Sequence, residues 1–379
     1  MEKFKAEIAK KLNANASQIS LYWKGRVGFY ALLKANGIGK GDEVIIPAFT
    51  CVVVPNAIIY LGAKPVYVDV NKDTFNTTLN HIKEKVTTKT KCIVIQNTFG
   101  LSSEIEEIVE FAKEKEIVTI EDCTHGFGGS YNGKPNGVFA DASFFSTQWN
   151  KPFSTGIGGF VFLKDKTISQ QLSLVNEELA LPSFKEKLML GILIKARKFL
   201  LNPTTYWTLL KTYRFLSKKG IVVGSSSGEE ITSVIMPKNY FKAFSKTQEK
   251  EGLRGLKKLD DLLETRRKNG LLFNQFLKNN GKTYVKEELY KNHSFLKLPV
   301  LVKDREVFKF RAEKASINLG DWFVSMIHPI TKDFSNWELD NKEFPIAKEV
   351  SEKILNLDTD TKNPEKVITF LQENLNEIV

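Results

Sequence analysis

The sequence predicts an α/β protein whose main sheet is mostly parallel and covered by helices on both faces. Short runs rich in Val and Ile recur along residues 1–165, and helical stretches separate them. Continuous apolar runs are typical of strands buried on both faces, and strands that alternate with helices indicate parallel pairing. A chain of 379 residues is also long enough for two domains with separate cores.

The N-terminal half is a regular succession of elements. Residues 3–14 and Val27–Ala35 have helical apolar spacing, and Gly37 and Gly39 end the second helix. Further helices are predicted over VVVPNAIIYLGA and EIEEIVEFAKEKE. The predicted strands are VIIP, KPVYVDV, CIVIQN, IVTIED and SFFS.

The C-terminal half is predicted to add a second, smaller α/β domain. We expect a large domain over 1–240 with a helical insertion at about 184–220, broken at Asn202–Pro203. A long helix over 245–278, with leucines at heptad-like spacing, is predicted to lead into the small domain over 241–379. That domain is expected to contain the strand SFLKLPVLV and the helices EVFKFRAEKASI and PEKVITFLQENL.

Composition excludes several classes of protein. The three cysteines have no CxxC spacing, which argues against a disulfide framework, and the four scattered histidines predict no metal site. The first residues are charged, unlike a signal peptide, and no apolar run is long enough to cross a membrane. These features favour the cytoplasm. The net charge of +11 is spread over the whole chain without a nucleic-acid-binding motif, so we expect no nucleic-acid partner.

Three polar side chains follow predicted strands where a ligand is expected. Asp122 ends the strand IVTIED, and Ser146 and Lys151 follow SFFS. Ligands of parallel α/β sheets bind at the carboxyl ends of the strands, so these residues are expected to lie together. A lysine that is desolvated there has a lowered pKa and becomes a nucleophile toward carbonyl groups.

The ordered motifs of the chain resemble a known family. The segments are GIGKGDEVIIPAFT, LGAKPVYVDV, TKCIVIQNTFG, IVTIEDCTHGFGGSYNGKPNG and SFFSTQWNKPFSTGIGG, followed by QEKEGLRGLKKLDDLLETRR and FPIAKEVSEKILNLDTDTKNPEKVITFLQENL. They resemble the DegT/StrS family of fold-type I aminotransferases, which use pyridoxal 5′-phosphate (PLP) and act on nucleotide-activated keto sugars. The resemblance implies that fold and a homodimer with the active site at the subunit interface.

The resemblance also implies roles for four residues. The lysine that carries PLP in the family falls on Lys151, and a serine that binds its phosphate falls on Ser146. The aspartate that keeps the pyridine nitrogen protonated falls on Asp122, and the His or Gln of the same motif falls on His125.

Three positions depart from the family pattern. Lys24-Gly25-Arg26 stands where the family has Ser-Gly-Thr, so we expect Arg26 to bind the phosphate through paired N–H donors. Cys51 stands where many members place an aromatic ring over the pyridine, so either another side chain stacks on the cofactor or the cavity is more open. The family's neighbour-subunit Asn aligns with Ala243, although Ser245 or Lys246 can take that role in another register.

The function implied by the resemblance is transfer of an amino group from an amino acid, with glutamate as the expected donor, to a keto group of a nucleotide-activated sugar, in polysaccharide or glycoconjugate biosynthesis. A related sugar dehydratase is disfavoured because those members replace the lysine with histidine. A non-catalytic relative stays open because of Cys51 and Ala243. A nicotinamide oxidoreductase is disfavoured because GFGGSYNG lacks the GxGxxG spacing.

The insertion suggests one further alternative. Residues 187–228 contain Lys and Arg but no Asp or Glu, as in helices that lie on anionic lipid. A membrane-surface scaffold that uses the hairpin over 185–219 is therefore a second reading, and packing on the protein body or on a partner subunit is the favoured one.

Overall fold

A seven-stranded, mostly parallel sheet forms the centre of the computed structural model, as the sequence predicts. The structure describes residues 1–165, 168–200, 205–218 and 228–379. The strand order of the main sheet is β1-β10-β9-β6-β5-β2-β4. The strands are β1 (Ile19–Tyr22), β2 (Glu43–Pro47), β3 (Thr50–Cys51), β4 (Lys64–Val68), β5 (Thr90–Gln96), β6 (Val118–Asp122), β7 (Ser130–Tyr131), β8 (Lys134–Pro135), β9 (Ala142–Ser146), β10 (Gly159–Leu163), β11 (Leu298–Leu301), β12 (Leu319–Gly320), β13 (Ile327–His328) and β14 (Ile354–Leu357).

Helices flank the sheet and build most of the C-terminal part. They are α1 (Glu2–Lys11), α2 (Gly25–Ala35), α3 (Val53–Ile59), α4 (Leu79–Lys85), α5 (Ile105–Glu114), α6 (Ser169–Glu177), α7 (Phe184–Leu200), α8 (Tyr206–Lys218), α9 (Gly228–Thr232), α10 (Lys246–Leu256), α11 (Leu259–Asn279), α12 (Arg305–Lys314), α13 (Pro345–Lys353) and α14 (Pro364–Glu373).

Both faces of the sheet are buried, which explains the continuous apolar runs in the sequence. Along β2, Val44 and Ile46 pack into one core, and Ile45 between them packs into the core on the opposite face. The same alternation continues in β5, where Cys92 and Ile93 face opposite cores. Helices on both sides therefore fix the register of these strands, because a slip of one residue would exchange the two faces.

Two strands of the main sheet, β1 and β10, differ from the predicted parallel arrangement. β1 was not predicted, and it pairs antiparallel with β10, which in turn pairs antiparallel with β9. The remaining pairings of the sheet, from β9 through β6, β5 and β2 to β4, are parallel. The parallel part of the sheet thus ends at β9, and the antiparallel strands β10 and β1 form the edge of the sheet beyond it.

The C-terminal part has its own small sheet, ordered β11-β14-β12, and its own core. That core includes Phe273, Phe295, Phe308 and Leu371, contributed by α11, the turn before β11, α12 and α14. Residues 323–354 supply side chains to the main core instead. The division of the chain at residue 240 stays a prediction.

The prediction of a single long helix over 245–278 is wrong. The structure has two helices, α10 and α11, and Lys258 between them has φ −105 and ψ 1, outside the helical region. Gly252 and Gly255 weaken the end of α10, because glycine is a poor helix former. The glycines also allow close packing, since a Cβ at Gly252 would lie 2.5 Å from the Phe4 ring.

The range predicted as a helical insertion contains α7 and α8, and its status as an insertion stays a prediction. The predicted break at Asn202–Pro203 lies outside the described residues. In the described part of the chain, no helix combines the length and apolar character that crossing a membrane requires.

Candidate active site

The carboxyl ends of β6 and β9 place the predicted site residues at one edge of the sheet. The two strands are parallel neighbours, with Asp122 opposite Phe144. One cavity of about 70 Å³ is lined by six of the seven predicted site residues, which are Gly25, Arg26, Cys51, Asp122, Ser146 and Lys151. The argument from strand ends grouped Asp122, Ser146 and Lys151, and these three line the same cavity.

Gly25 lies where helix α2 begins, pressed against the ends of two strands. A Cβ at Gly25 would lie 2.8 Å from the carbonyl oxygen of Phe145, and one at Gly159 would lie 2.2 Å from the Gly25 Cα. Only glycines allow this approach. The N-cap residue Lys24 makes no side-chain capping bond, so the first N–H groups of α2 are left free of a side-chain cap beside Ser146.

Lys151 lies at the boundary of two cavities. It lines the cavity described above and a second one of about 200 Å³ on the side of the C-terminal part. Burial lowers the pKa of the Lys151 amine to about 8, while Cys51 and Asp122 act in the opposite direction. The Nζ atom is 4.3 Å from the centre of the Trp322 ring, and this ring face favours the protonated form. A substantial fraction of the amine is nevertheless neutral, and hence nucleophilic, near pH 8.

Asp122 is buried at the end of β6, with 4% of its surface exposed. Burial raises the pKa of its carboxyl group, and the N–H of Thr124, which donates to Oδ1 at 2.9 Å, and the charge of Lys151 lower it. A buried carboxylate of this kind gains stability from a cationic partner in the cavity.

His125 does not line this cavity, and it packs among aromatic rings. Its ring is stacked on Trp322 with 4.6 Å between the ring centres. Nδ1 accepts a hydrogen bond of 3.2 Å from the backbone N–H of Phe99, so the proton of the neutral ring lies on Nε2. Burial lowers the pKa of His125 well below its usual range, and the charge of Lys151 adds to this effect. His125 is thus a neutral donor at physiological pH.

Arg26 lines the cavity, but its guanidinium already has a partner. Nη1 is 2.5 Å from Oε1 of Glu230, and these residues are only 8% and 2% exposed. The Nζ atom of Lys24 is 3.9 Å from the other oxygen of Glu230. Lys24 and Arg26, which both line the cavity, thus both contact the carboxylate of Glu230. The predicted role of Arg26 in phosphate binding stays a prediction.

Lys24 is a second lysine with a perturbed pKa on the same cavity. Burial lowers the pKa of its amine to about 8, with a further contribution from Arg26, and Glu230 opposes both. Its Nζ atom lies 3.9 Å from an oxygen of Glu230, and a carboxylate near a lysine favours the charged amine. Lys151 experiences an effect of the same kind from Asp122.

Cys51 contributes a thiol, and no aromatic ring, to the cavity wall. Burial raises the pKa of this thiol, so the sulfur is an apolar wall atom at neutral pH. The ring nearest to the amine of Lys151 belongs to Trp322, which sequence reasoning missed. The dipeptide Trp322–Phe323 lies far from the predicted motifs, and only its two adjacent large aromatics in a polar stretch could have drawn attention to it.

The residues near 243 have structural roles in this chain. Ala243 forms an isolated bridge with Tyr22, and its N–H donates to the carbonyl of Ala180. Ser245 is the N-cap of α10 and exchanges hydrogen bonds with Gln248. A contact of Ala243, Ser245 or Lys246 with a partner subunit's cofactor stays a prediction.

A sequence model of the DegT/DnrJ/EryC1/StrS aminotransferase family matches residues 1–185 and 213–370. The chain belongs to this family. The residues between the two matched ranges cover most of α7 and the start of α8.

Relatives of this DegT-family chain include sugar aminotransferases. GDP-perosamine synthase of Escherichia coli O157:H7 is 40% identical over 169 residues, which cover 44% of this chain and 46% of that protein. The UDP-N-acetyl-3-dehydro-alpha-D-glucosamine 3-aminotransferase of Acidithiobacillus ferrooxidans is 36% identical over 141 residues, 37% of this chain and 38% of the relative. The matched part thus spans less than half the length of either relative.

The fold is that of the fold-type I PLP-dependent aminotransferases. The aminotransferase of Psychrobacter cryohalolentis superimposes with a TM-score of 0.74 at 19% identity, covering 99% of this chain and 90% of that one. The predicted fold class is confirmed.

Proposed function

We propose that this protein is a PLP-dependent aminotransferase that moves an amino group from an amino acid, glutamate in the first instance, to a keto group of a nucleotide-activated sugar. The observation that carries the proposal is the position of Lys151, Asp122 and Ser146 around one cavity at the ends of adjacent strands. The named activities of the matched relatives support a substrate that carries a nucleoside diphosphate.

The residues around the cavity fit PLP. The uncapped start of α2, with Gly25 pressed against Ser146, forms a cradle of backbone N–H groups suited to a phosphate. The cationic side chains of Lys24 and Arg26, which line the same cavity, suit the same group. We assign the phosphate to this end of the cavity and the pyridine nitrogen to Asp122.

Each residue then has a distinct chemical task. PLP, when bound, supplies a conjugated electron sink next to the carbon that gains or loses the amino group. Asp122 would favour a protonated pyridine nitrogen, because a cation beside its buried carboxylate stabilises that carboxylate. Lys151 would hold the cofactor through its neutral, nucleophilic amine. The same Nζ atom can accept and return protons as a general base and acid.

The surroundings exclude water and orient the ring. Val53, Val54, Phe144 and Ile157 form apolar walls, so that charges inside the cavity interact more strongly than in water. His125 has its Nε2–H available to orient the cofactor, since its Nδ1 already accepts from the Phe99 N–H. Both effects hold the reacting groups in place during proton transfer.

Assembly and location follow as parts of the same proposal. We propose a homodimer, in which a second subunit completes the active site, working in the cytoplasm in the biosynthesis of a polysaccharide or glycoconjugate. The two relatives differ in nucleotide and in sugar, so neither name identifies the substrate of this chain.

The test is a spectrum followed by a substrate panel. The purified protein, supplied with PLP, is expected to develop visible absorbance, and glutamate is expected to convert this band to one at shorter wavelength. Keto sugars linked to GDP, UDP or dTDP are then added, and one of them is expected to restore the first band. A protein that takes up no PLP would contradict the proposal.

A further inference from the structure

Helix α7 brings a cation to the second cavity that Lys151 lines. This cavity of about 200 Å³ includes Arg197 of α7 and Tyr206 and Leu210 of α8 in its wall. Most of α7 lies between the ranges matched by the family model. A segment outside the family pattern therefore contributes directly to the space beside the reactive amine.

The guanidinium of Arg197 is fixed against the loop that carries Lys151. Nη2 donates to Oδ1 of Asn150 at 2.9 Å and to the carbonyl of Trp149 at 3.4 Å. The Cζ atom is 5.6 Å from the centre of the Trp149 ring. These two residues immediately precede the lysine, so Arg197 and Lys151 are held by the same short stretch of chain.

The packing of α7 keeps this arrangement in place. Leu190 is buried in a small core with Trp23 and Ile157. A Cβ at Gly156 would lie 2.7 Å from Leu190, so the loop after Lys151 accommodates the helix through a glycine at φ +86. The indole N–H of Trp149 donates to the hydroxyl of Tyr213 in α8 at 3.2 Å. Helices α7 and α8 thus pack directly on the loop that carries Lys151.

Arg197 has charge available for a ligand. Besides Lys151, the other cations that line this cavity are Arg266 and Lys297, and they are paired with Asp360 and Asp358. Within the described ranges, no carboxylate lies at ion-pair distance from Arg197, whose hydrogen-bond acceptors there are a carbonyl and a side-chain amide. The Arg197 side chain is exposed, and an arginine stays protonated at physiological pH.

We propose that Arg197 binds the diphosphate of the nucleotide-sugar substrate and so makes the insertion a determinant of substrate recognition. The proposal rests on the function proposed above. A planar guanidinium with unused N–H donors matches two phosphate oxygens at once. The sugar would then extend from Arg197 toward the amine of Lys151. A carboxylate of the amino donor has similar chemistry, and the experiment separates the two.

The test compares three variants in the full-length protein saturated with PLP, so that the phosphate cradle near Ser146 is filled. Arg197→Gln removes the charge, and Arg197→Lys keeps the charge without the paired donors. Lys198→Gln removes a neighbouring cation of the same helix that does not line the cavity. Binding of GDP, UDP and inorganic pyrophosphate is measured by calorimetry, and the rate of the spectral change with glutamate is measured separately.

We expect Arg197→Gln to raise the Kd of pyrophosphate and of the preferred nucleotide about tenfold or more, the scale for a lost hydrogen bond to a charged group. Arg197→Lys should recover part of the loss, Lys198→Gln should behave as wild type, and the glutamate reaction should be unchanged in all three. Equal Kd values for wild type and Arg197→Gln, or no binding by wild type, would overturn the proposal.

Two other outcomes separate the two proposals. If Arg197→Gln slows the glutamate reaction and leaves diphosphate binding unchanged, the anion is the donor carboxylate and the diphosphate assignment is wrong. If the protein takes up no PLP but binds pyrophosphate in an Arg197-dependent manner, the aminotransferase proposal fails and the anion site at Arg197 stands.

Discussion

Arg26 and Glu230 form a buried ion pair of 2.5 Å at the edge of the cavity that holds Lys151. Glu230 belongs to α9, and its backbone carbonyl accepts a 2.8 Å hydrogen bond from the side-chain amide of Asn56. The carbonyl of Arg26 in turn accepts a hydrogen bond from the Tyr240 hydroxyl. The side chain and the backbone of Arg26 are therefore each held by a separate contact.

We expect Arg26→Ala to weaken PLP binding by about tenfold or more, because a charge-assisted contact to the phosphate is lost. Glu230→Gln is the matched control, since it breaks the same ion pair but leaves the cation, and it should keep or increase PLP affinity. The measurement is fluorescence titration of the protein with PLP. An equal loss of affinity in both variants would mean that the ion pair is only structural.

Asp122→Asn should retain PLP but slow amino transfer. The amide has the same shape as the carboxylate and cannot stabilise a protonated pyridine nitrogen. Removing one preorganised electrostatic contact of this kind costs about 10²–10³ in rate in other enzymes. The glutamate-dependent spectral change measures the rate in a single turnover. A variant as fast as wild type would show that Asp122 does not face the pyridine nitrogen.

The pKa of Lys151 predicts a pH dependence of cofactor capture. The pKa is lowered to about 8, so the amine is mostly protonated below this pH and mostly neutral above it. The rate at which the protein without cofactor takes up PLP should therefore rise through about pH 8 and then level off. Stopped-flow absorbance at several pH values measures it. An inflection near the ordinary lysine value of about 10.5 would contradict the burial argument.

Trp322→Leu should shift that inflection to lower pH. The ring face 4.3 Å from Nζ stabilises the protonated amine, and a cation–π contact contributes about 0.5–1 kcal/mol or more. The corresponding shift is about half a pH unit. Trp322→Phe retains an aromatic ring with a weaker cation–π attraction, so the inflection should shift by a smaller amount. An unchanged inflection in Trp322→Leu would show that the contact does not affect the titration.

Gly25→Ala should destabilise the fold by about 1–3 kcal/mol, because the new Cβ would lie 2.8 Å from the carbonyl oxygen of Phe145. Gly191→Ala is the control in helix α7, where a Cβ meets no atom within 4 Å, and it should stabilise by up to about 1 kcal/mol. Chemical denaturation of both variants tests the difference. Equal effects would contradict the close approach at Gly25.

The sequence was sufficient to predict most strands of the sheet and the side of the candidate site formed by Asp122, Ser146 and Lys151. The strands ending at Asp122 and Ser146 are continuous apolar runs, so their positions follow from local pattern, and parallel pairing brings their ends together. Lys151 follows the strand SFFS, and its role came from the family resemblance. The positions of these residues need only short-range information and one rule of topology.

The other side of the site depends on contacts that local pattern does not encode. Glu230 follows a Gly- and Ser-rich stretch and reaches Arg26 across 204 positions of sequence. Trp322 reaches His125 only after the C-terminal part packs on the main sheet. The heptad-like leucines likewise do not reveal the break between α10 and α11, and Gly252 of α10 packs closely on Phe4.

Identification of the lysine that captures the cofactor tests the account most directly. The protein is incubated with PLP, reduced with borohydride, digested and examined by peptide mass spectrometry, with Lys151→Ala in parallel. We predict that the label lies on Lys151 and that the variant develops no visible band. A label on Lys24, the other lysine of the cavity with a pKa lowered to about 8, would contradict the assignment of Lys151 as the catalytic residue.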